Sequence, residues 1–236
     1  MPNQKTISKS IFFDGVGLHT GSEVNLEICP APENYGIKFQ RTDLENQPII
    51  PALVDFVSDT QRSTTIEKNT IKVVTIEHLM SALYALGVNN ILIKINGPEV
   101  PILDGSAKQY VDAITEAGTK IQNAEVQQLN LNKSFNYTDP DSGSEILFLP
   151  ADQFKISVVL DYGDSVMGTQ YAELRNINDY KSEIASCKTF VLLTELENLA
   201  KSNLIKGGNL ENAIVMVDRK DIKVSELKEL AHLLGK

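Results

Sequence analysis

The stretch TIEHLMSALYALG at residues 75–87 decides the local fold around it, because its apolar residues recur at helical spacing. Thr75 is of a type that caps helix N-termini, and Gly87 is placed to end the helix. The sequence therefore predicts an amphipathic helix with Glu77 and His78 in its first turn. The positive end of the helix dipole favours an ionised carboxylate and disfavours an imidazolium. We therefore expect Glu77 to be able to accept a proton and His78 to be neutral, as a metal ligand must be.

This Glu-His pair also has an ordinary structural interpretation. Acidic residues are common in first helical turns, and an isolated histidine is often only a hydrogen-bonded structural residue. A zinc site needs at least three protein ligands with nitrogen, sulfur or oxygen donors. The two residues by themselves leave both interpretations open.

The overall composition limits the class of protein. With 236 residues and 42% hydrophobic content, the chain is long enough for a proper core, and two modest domains are expected. The net charge of −9 argues against a nucleic-acid binder, for which a basic face is expected.

The cysteines and the N-terminus indicate a compartment. Cys29 and Cys187 have no Cys-x-x-Cys spacing and no pairing framework, so they are expected to be reduced thiols. The first ten residues lack the apolar core of a signal peptide, and no apolar run approaches the ~18 residues of a membrane span. We therefore expect a soluble, cytoplasmic protein without a transmembrane segment.

Hydrophobic periodicity predicts an α+β fold with two similar domains, residues 1–122 and 127–236, each a mainly antiparallel sheet packed against helices. A capping box at residues 106–109 predicts a helix that Gly118 ends, and the polar residues 119–128 suggest a linker. The other predicted elements are strands at 22–28, 72–74, 91–95 and 154–160, and helices near 179–185 and 194–200.

An internal duplication is one of two open interpretations of the two halves. Residues 9–10 (KS) and 22–23 (SE) recur as residues 133–134 and 144–145. Matching dipeptides also arise by chance, so the sequence leaves duplication undecided.

The glycine-rich segment GVGLHTG at residues 15–21 is followed by a predicted strand. A dinucleotide-binding loop would instead be followed by a helix whose N-terminus holds the pyrophosphate, so that interpretation fails. Two others remain. The segment is either a tight turn that needs glycine, or a loop that lets a ligand approach the backbone at Leu18 and His19.

Four ordered motifs together closely resemble the UDP-3-O-acyl-N-acetylglucosamine deacetylase family of lipid A biosynthesis. They are GVGLHTG at 15–21, RTDL at 41–44, TIEHL at 75–79 and PEVPILDGS at 98–106. The resemblance continues through CKTF at 187–190 and GGNLENAIV at 207–215, up to about residue 218. It implies a two-domain α+β zinc amidase that acts on a UDP-sugar.

The resemblance implies a catalytic set. In such an enzyme zinc polarises the acetamide carbonyl and activates water, while a carboxylate takes the proton of the water. By motif position Glu77 corresponds to that base, His78 to a zinc ligand, and Thr189 to the hydroxyl that stabilises the tetrahedral oxyanion.

The resemblance also implies a substrate-binding set, in which Phe190 neighbours Thr189. The segment 192–205 resembles an insert that forms a passage for the acyl chain, although its pattern fits an ordinary core helix equally well. The predicted substrate-binding residues are Leu18, His19, Thr60, Ser63, Phe190, Leu204 and Gly208. Asp104 is assigned instead to turn structure, because Asp-Gly-Ser before a helix is explained by local hydrogen bonds.

The chain departs from the family pattern at its C-terminal side. The remaining zinc ligands of the family lie in a His-Lys-x-x-Asp segment, and a general-acid histidine lies beyond it. Neither is present here, because the last histidine, His232, is followed four residues later by Lys236. His232 is expected on the flank of a helix that Ser225 begins, and not as a ligand.

The sequence therefore resembles a C-terminally truncated member of the family. Some relatives are fused to a hydroxyacyl-carrier-protein dehydratase domain, which could follow downstream. The alternative function is a UDP-sugar or acyl-chain binding module without a complete metal site.

Overall fold

The computed structural model describes residues 2–163, 165–202 and 204–217, with the single positions 223 and 225. His232, and the body of the helix predicted to begin at Ser225, lie outside the described residues. We use "first region" for residues 2–125 and "second region" for the described part of residues 135–217.

The first region contains ten strands and two α-helices. In chain order they are β1 Asn3–Ile7, β2 Ile11–Val16, β3 Glu23–Pro30, β4 Ile37–Arg41, β5 Ile49–Pro51, β6 Val57–Asp59, β7 Thr65–Lys68, β8 Ile71–Val73, α1 Glu77–Ala85, β9 Ile91–Ile95, α2 Lys108–Ala117 and β10 Thr119–Glu125. A short 3-10 helix, Val54–Phe56, precedes β6.

The central sheet of the first region has the strand order β2-β3-β9-β4-β5. All neighbours in it are antiparallel except β4 and β9, which are parallel. A second antiparallel sheet has the order β6-β7-β8, and β1 pairs with β10. Helix α1 starts a few residues after β8 ends. Its first turn, with the predicted Glu-His pair, lies at the edge of the core.

The hydrophobic core lies between the central sheet and the two helices. The isoleucines of β9 at 91, 93 and 95 are fully buried, as the alternating pattern predicts. Leu79 and Leu83 of α1 and Tyr110 of α2 are fully buried against them. The hydroxyl of Tyr110 donates to the carbonyl of Pro101 at 2.6 Å, so this buried polar atom is satisfied.

The boundaries of α1 agree with the sequence, but its cap does not. Gly87 ends the helix at φ +66°, as predicted. Thr75 is not an N-cap: Ile76 holds that position, and no side-chain cap bond is present at it. The Thr75 backbone lies at φ +59°, and its hydroxyl donates to Glu99 at 2.8 Å. A long-range acceptor therefore replaces the expected local cap.

The start of α2 differs from the prediction in a similar way. The helix spans Lys108–Ala117 and ends at Gly118, as expected. Ser106 does not form the predicted capping box, since Ala107 is the N-cap and Ser106 Oγ accepts from the amide of Lys108 at 3.1 Å. A helix still begins here, because the hydroxyl of Ser106 in the preceding turn accepts from the first amide of the helix.

The predicted linker at residues 119–128 is wrong over its first seven residues. Residues 119–125 form β10, which pairs antiparallel with β1. The polar sequence hides this strand because its inward side chain is an amide, Gln122, which accepts from Asn90 at 2.7 Å and donates to the carbonyl of Ala31 at 2.9 Å. A buried amide network takes the place of the expected apolar face.

The second region contains six strands and two α-helices in its described part. They are β11 Phe135–Thr138, β12 Glu145–Phe148, β13 Ile156–Asp161, β14 Thr169–Leu174, α3 Tyr180–Glu183, β15 Phe190–Leu192, α4 Leu193–Lys201 and β16 Ile214–Met216. Two antiparallel pairs, β11-β12 and β13-β14, precede a parallel pair, β15-β16, that α4 connects. The predicted strand at 154–160 and both predicted helices are thus present, with a 3-10 turn, Ile177–Asp179, opening the first helix.

The fold class is confirmed as α+β, with mainly antiparallel sheets. The division at 122 and 127 stays a prediction, as does the duplication. Cys29 and Cys187 are free thiols, as expected. Among the helices of the described residues, none is long and apolar enough to cross a membrane.

Candidate functional site

The start of α1 places His78 in a largely buried position. Burial lowers the pKa of His78, and the nearby charges of Glu77 and Asp104 oppose that shift. The lowered pKa agrees with the expected neutral imidazole. Its main cause in the structure is burial, whereas the sequence analysis expected it from the helix dipole. A lowered pKa favours the neutral imidazole, which is the form that a metal ligand requires.

Glu77 is tied to the segment that precedes β7. Its Oε2 accepts from the backbone amide of Thr64 at 2.9 Å. Ser63 is the chain neighbour of Thr64 and is half-buried, whereas Thr60 is exposed. The bond orients the Glu77 carboxylate and places the backbone of Thr64 beside it.

Asp104 has the structural role predicted for it, and one more contribution. Its Oδ1 accepts from the amide of Ser106 at 3.2 Å and from the hydroxyl of Ser106 at 2.8 Å. This is the expected turn before α2. Its charge also acts on His78, so the turn lies close to the start of α1.

Thr189 reaches this area from the second region. Its amide donates to the carbonyl of Gly105 at 2.7 Å, and its carbonyl accepts from the amide of Ile214 at 3.0 Å. Gly105, at φ +81°, is the chain neighbour of Asp104. A Cβ at Gly105 would collide with the backbone carbonyl of Asn212. Only glycine therefore permits this close approach, which brings Thr189 to the Asp104 turn.

Residues 17–21 of the glycine-rich segment form a tight turn after β2, and this turn also meets the second region. Gly21 donates to the carbonyl of Gly17 at 3.0 Å and lies at φ +67°. The amide of Gly207 donates to the carbonyl of Leu18 at 3.0 Å. A Cβ at Gly207 would collide with the carbonyl of Gly17. The interpretation of this segment as a tight turn is thus confirmed. The backbone of the turn contacts the backbone of the second region.

A narrow cavity of about 70 Å³ lies where the two regions meet. Five residues predicted from the resemblance line it: Leu18, His19, Thr189, Phe190 and Gly208. Leu196, Leu199 and Ile205 of the predicted passage segment line it as well. Thr60, Ser63 and Leu204 are not among its lining residues. The passage segment therefore forms both a helix and a cavity wall.

An ion pair that the sequence analysis missed joins the same two regions. Arg62, which lines the cavity, binds Glu195 of α4 through two hydrogen bonds of 2.6 and 3.1 Å. This pairing raises the pKa of Arg62. No signal in the sequence connects residues 133 positions apart, so only the tertiary structure shows it.

The residues that the structure describes do not complete a metal centre. His78 offers one nitrogen with the correct protonation state. Within the described part of the chain, however, no group of three or more His, Cys, Asp or Glu side chains could hold a metal ion. The described residues therefore do not fit a complete zinc site, which needs at least three protein ligands.

Comparisons with known proteins agree with the motif pattern. The family model described as UDP-3-O-acyl N-acetylglycosamine deacetylase matches residues 4–230. A bifunctional enzyme LpxC/FabZ of Bacteroides thetaiotaomicron is 43% identical over 235 residues, covering 100% of this chain and 51% of the relative.

Single-function relatives are similar over nearly the same part of the chain. A UDP-3-O-acyl-N-acetylglucosamine deacetylase of Myxococcus xanthus is 40% identical over 215 residues, which is 91% of this chain and 68% of that protein. One of Legionella pneumophila is 38% identical over 221 residues, which is 92% of this chain and 72% of that protein. The chain spans about half the length of the bifunctional relatives that it matches.

Proposed function

This chain belongs to the UDP-3-O-acyl-N-acetylglucosamine deacetylase family, and we propose that it takes part in hydrolysing the acetamide of UDP-3-O-acyl-N-acetylglucosamine, the committed step of lipid A biosynthesis. The observation that carries the proposal is the meeting of two regions at one place. The second region brings Thr189 to Gly105, next to Asp104, whose charge acts on His78, and beside an apolar cavity that Glu77 and His78 do not line.

In this proposal Glu77 takes the proton of the attacking water. Its carboxylate is oriented by the Thr64 amide, which leaves its other oxygen for a water molecule. Thr189 donates its hydroxyl to the oxyanion that forms on the acetamide carbonyl. The backbone of Thr189 is fixed at Gly105 before the substrate binds.

The proposed substrate contacts follow the cavity. Leu18, His19, Phe190 and Gly208 lie at its wall, and apolar residues of α4 line it as well. An apolar lining suits an acyl chain, since burying each methylene contributes about 0.8 kcal/mol. Thr60, Ser63 and Leu204 stay predictions for contacts outside this cavity.

Zinc is part of the proposal, with His78 as one nitrogen ligand. The other ligands are not among the described residues. The steps assigned to this chain are therefore those of its own groups: proton transfer at Glu77, hydrogen bonding by Thr189 and acyl-chain binding by the cavity wall. The fused dehydratase domain of some relatives has no part in these steps and stays a prediction.

The test is acetate release from UDP-3-O-acyl-N-acetylglucosamine by the purified protein, with Glu77→Gln as the variant. We expect kcat to fall by about 100-fold or more, because general base catalysis typically contributes about 10²–10⁴ in rate. Glu116→Gln is the matched control, since Glu116 is exposed on α2. Wild-type rates in the Glu77 variant, or no acetate from the wild type, would overturn the proposal.

A second candidate function is a UDP-sugar or acyl-chain binding module that never assembles a metal centre. The observation that favours it is the missing three-ligand group in the described residues. Elemental analysis of the purified 236-residue chain distinguishes the two. Stoichiometric zinc that His78→Ala removes supports the enzyme, whereas substrate binding without any zinc supports the module.

A further inference from the structure

Glu99 is a fully buried carboxylate that the sequence analysis quoted in a motif but gave no role. It lies in the segment between β9 and α2, where its backbone forms a parallel bridge with Val74. The amide of Val74 donates to the carbonyl of Pro98 at 2.9 Å, and the amide of Val100 donates to the carbonyl of Val74 at 3.0 Å. The backbone of Glu99 is thus fixed directly beside the residues that lead into α1.

The carboxylate of Glu99 accepts from three groups on two different segments. Its oxygens lie 3.0 and 3.2 Å from the amide of His19, and Oε2 lies 2.8 Å from the amide of Thr20. Oε1 accepts from the hydroxyl of Thr75 at 2.8 Å. A buried carboxylate is costly unless it is hydrogen-bonded, so these three donors and the carboxylate depend on one another.

Thr75 has a strained backbone that this bond holds. Its φ of +59° is unusual for a β-branched residue and persists only where the surroundings fix it. Thr75 stands two residues before Glu77 and three before His78. The Glu99–Thr75 bond therefore fixes the turn from which the Glu-His pair leaves β8.

The glycine-rich turn is folded around the same carboxylate. A Cβ at Gly17 would lie 2.5 Å from Oε2 of Glu99, so any larger residue would displace the carboxylate or the turn. The amide of Gly17 donates to the carbonyl of Ser22 at 3.0 Å, which closes the turn behind His19. Gly17 is explained by this contact and not by a positive φ.

The imidazole of His19, in the same turn, makes no hydrogen bond to the described residues. Both of its ring nitrogens are buried, and neither has a hydrogen-bond partner among the described residues. His19 also lines the cavity between the regions. Buried polar atoms are nearly always satisfied, so these nitrogens are available to a bound ligand or an ordered water molecule.

We propose that Glu99 is a positioning residue that holds the His19 turn and the start of α1 in one fixed arrangement. The inference rests on the proposed function, because it takes His19 and Glu77 to face the same substrate. Glu99 touches neither substrate nor reacting atoms. It sets where the backbone of His19 lies relative to the Thr75 turn, and through these two segments it sets the spacing between the substrate contact and the base.

Glu99→Gln tests this with little change in volume. The amide of glutamine replaces an acceptor by a donor, which would face N–H groups that already donate. We expect KM for UDP-3-O-acyl-N-acetylglucosamine to rise about 10-fold or more, as the loss of hydrogen bonds to a charged group predicts. Glu116→Gln, an exposed carboxylate on α2, is the control and should leave KM and kcat unchanged.

A double variant separates positioning from a general loss of stability. If Glu99 acts through His19, the increase in KM caused by Glu99→Gln disappears in a His19→Ala background. If Glu99 supports only the core, the two effects on KM multiply, and the proposal is overturned. An unchanged KM in Glu99→Gln overturns it as well.

Thr75→Val covers the case in which Glu99→Gln does not fold. Valine keeps the β-branched shape and loses only the hydroxyl bond to Glu99. This variant loosens the start of α1 and keeps the His19 bonds, so we expect kcat to fall about 10-fold with KM within about twofold of the wild type. A wild-type kcat, or an increase confined to KM, contradicts the proposal.

A spectroscopic measurement separates this inference from the proposed activity. The chain has three histidines, so His19→Ala identifies the imidazole ¹⁵N signals of His19 in NMR spectra. We expect these signals to shift in Glu99→Gln and to stay unchanged in Glu116→Gln. If the wild type releases no acetate, the activity proposal fails, while the His19 shift still supports the role of Glu99. Unshifted His19 signals together with normal acetate release would overturn the proposed role of Glu99 and leave the activity proposal standing.

Discussion

The two regions of this molecule use similar alternating sequences but bury them differently. In β9 the side chains of Ile91, Ile93 and Ile95 are fully buried between neighbouring strands and helices. In β13 Val158, Val159 and Leu160 are 42%, 63% and 47% exposed, so the described residues leave both faces of the strand open. An apolar alternation therefore predicts that a strand forms, but not what packs on it. Exposed apolar surface of this extent marks an interaction surface or an aggregation risk.

The regions also divide the proposed chemistry between them. The first region holds Glu77 and His78 on a helix whose inner face belongs to the main core. The second region reaches that core through few residues, among them Tyr180, whose hydroxyl lies 2.7 Å from the hydroxyl of Ser81. The contact of Thr189 with Gly105 crosses the boundary between the two regions, which we call the seam.

We expect the largest effect when a buried phenylalanine of the first region and an exposed one of the second region are each replaced by alanine. Phe39→Ala, in the central sheet, should lower the free energy of unfolding by about 3–5 kcal/mol, because it leaves a cavity in a fully packed core. Phe148→Ala, 40% exposed and stacked on Phe135, should cost no more than about 1.5 kcal/mol. Urea unfolding followed by circular dichroism measures both. Equal losses would mean that the second region is packed in solution, and the comparison would break.

The next effect tests the seam at Gly105. Gly105→Ala introduces a Cβ against the backbone carbonyl of Asn212, and overpacking of this kind costs about 1–3 kcal/mol beyond the backbone strain. Gly143→Ala is the matched control, because Gly143 also has a positive φ but nothing lies within 4 Å of its added Cβ. The difference in unfolding free energy between the two variants isolates the contact. A difference near zero would show that the two backbones do not meet there.

The smallest effect tests the ion pair across the seam. A double-mutant cycle of Arg62→Ala and Glu195→Ala should give a coupling free energy of about 0.2–1 kcal/mol, as is typical of exposed pairs. Measured at low and at high salt concentration, the coupling should shrink as salt screens it. Glu67 of β7 and Lys72, between Ile71 and Val73 of β8, form a partly exposed pair and provide the matched cycle inside one region. Coupling that is absent at low salt would mean that the pair does not join the regions in solution.

Several parts of the site could be predicted because their signals are local. The C-terminal ends of α1 and α2 follow from glycines 87 and 118, and the structure confirms them. The placement of Glu77 and His78 in a first helical turn follows from apolar spacing. The Asp104 turn could also be predicted, since its partners lie two residues away.

Other parts could not be predicted because their partners are distant in sequence. The side chain of Thr75 is of a type that caps helices, yet its hydroxyl donates to a buried carboxylate 24 positions away. The strand β10 looked like a linker because its inward Gln122 finds amide and carbonyl partners 32 and 91 positions away. In both cases a long-range hydrogen bond outweighs the local propensity.

By itself the sequence determined the family, the α+β class and the helix that presents Glu77 and His78, because motifs, periodicity and turn residues act over a few neighbouring positions. Only the tertiary structure decided that Thr189 docks at Gly105, that Arg62 pairs with Glu195, and that Glu99 joins the His19 turn to the start of α1. These contacts depend on which segments the core brings together. That choice is made by packing and by the need to satisfy buried polar groups, and it leaves no local pattern in the chain.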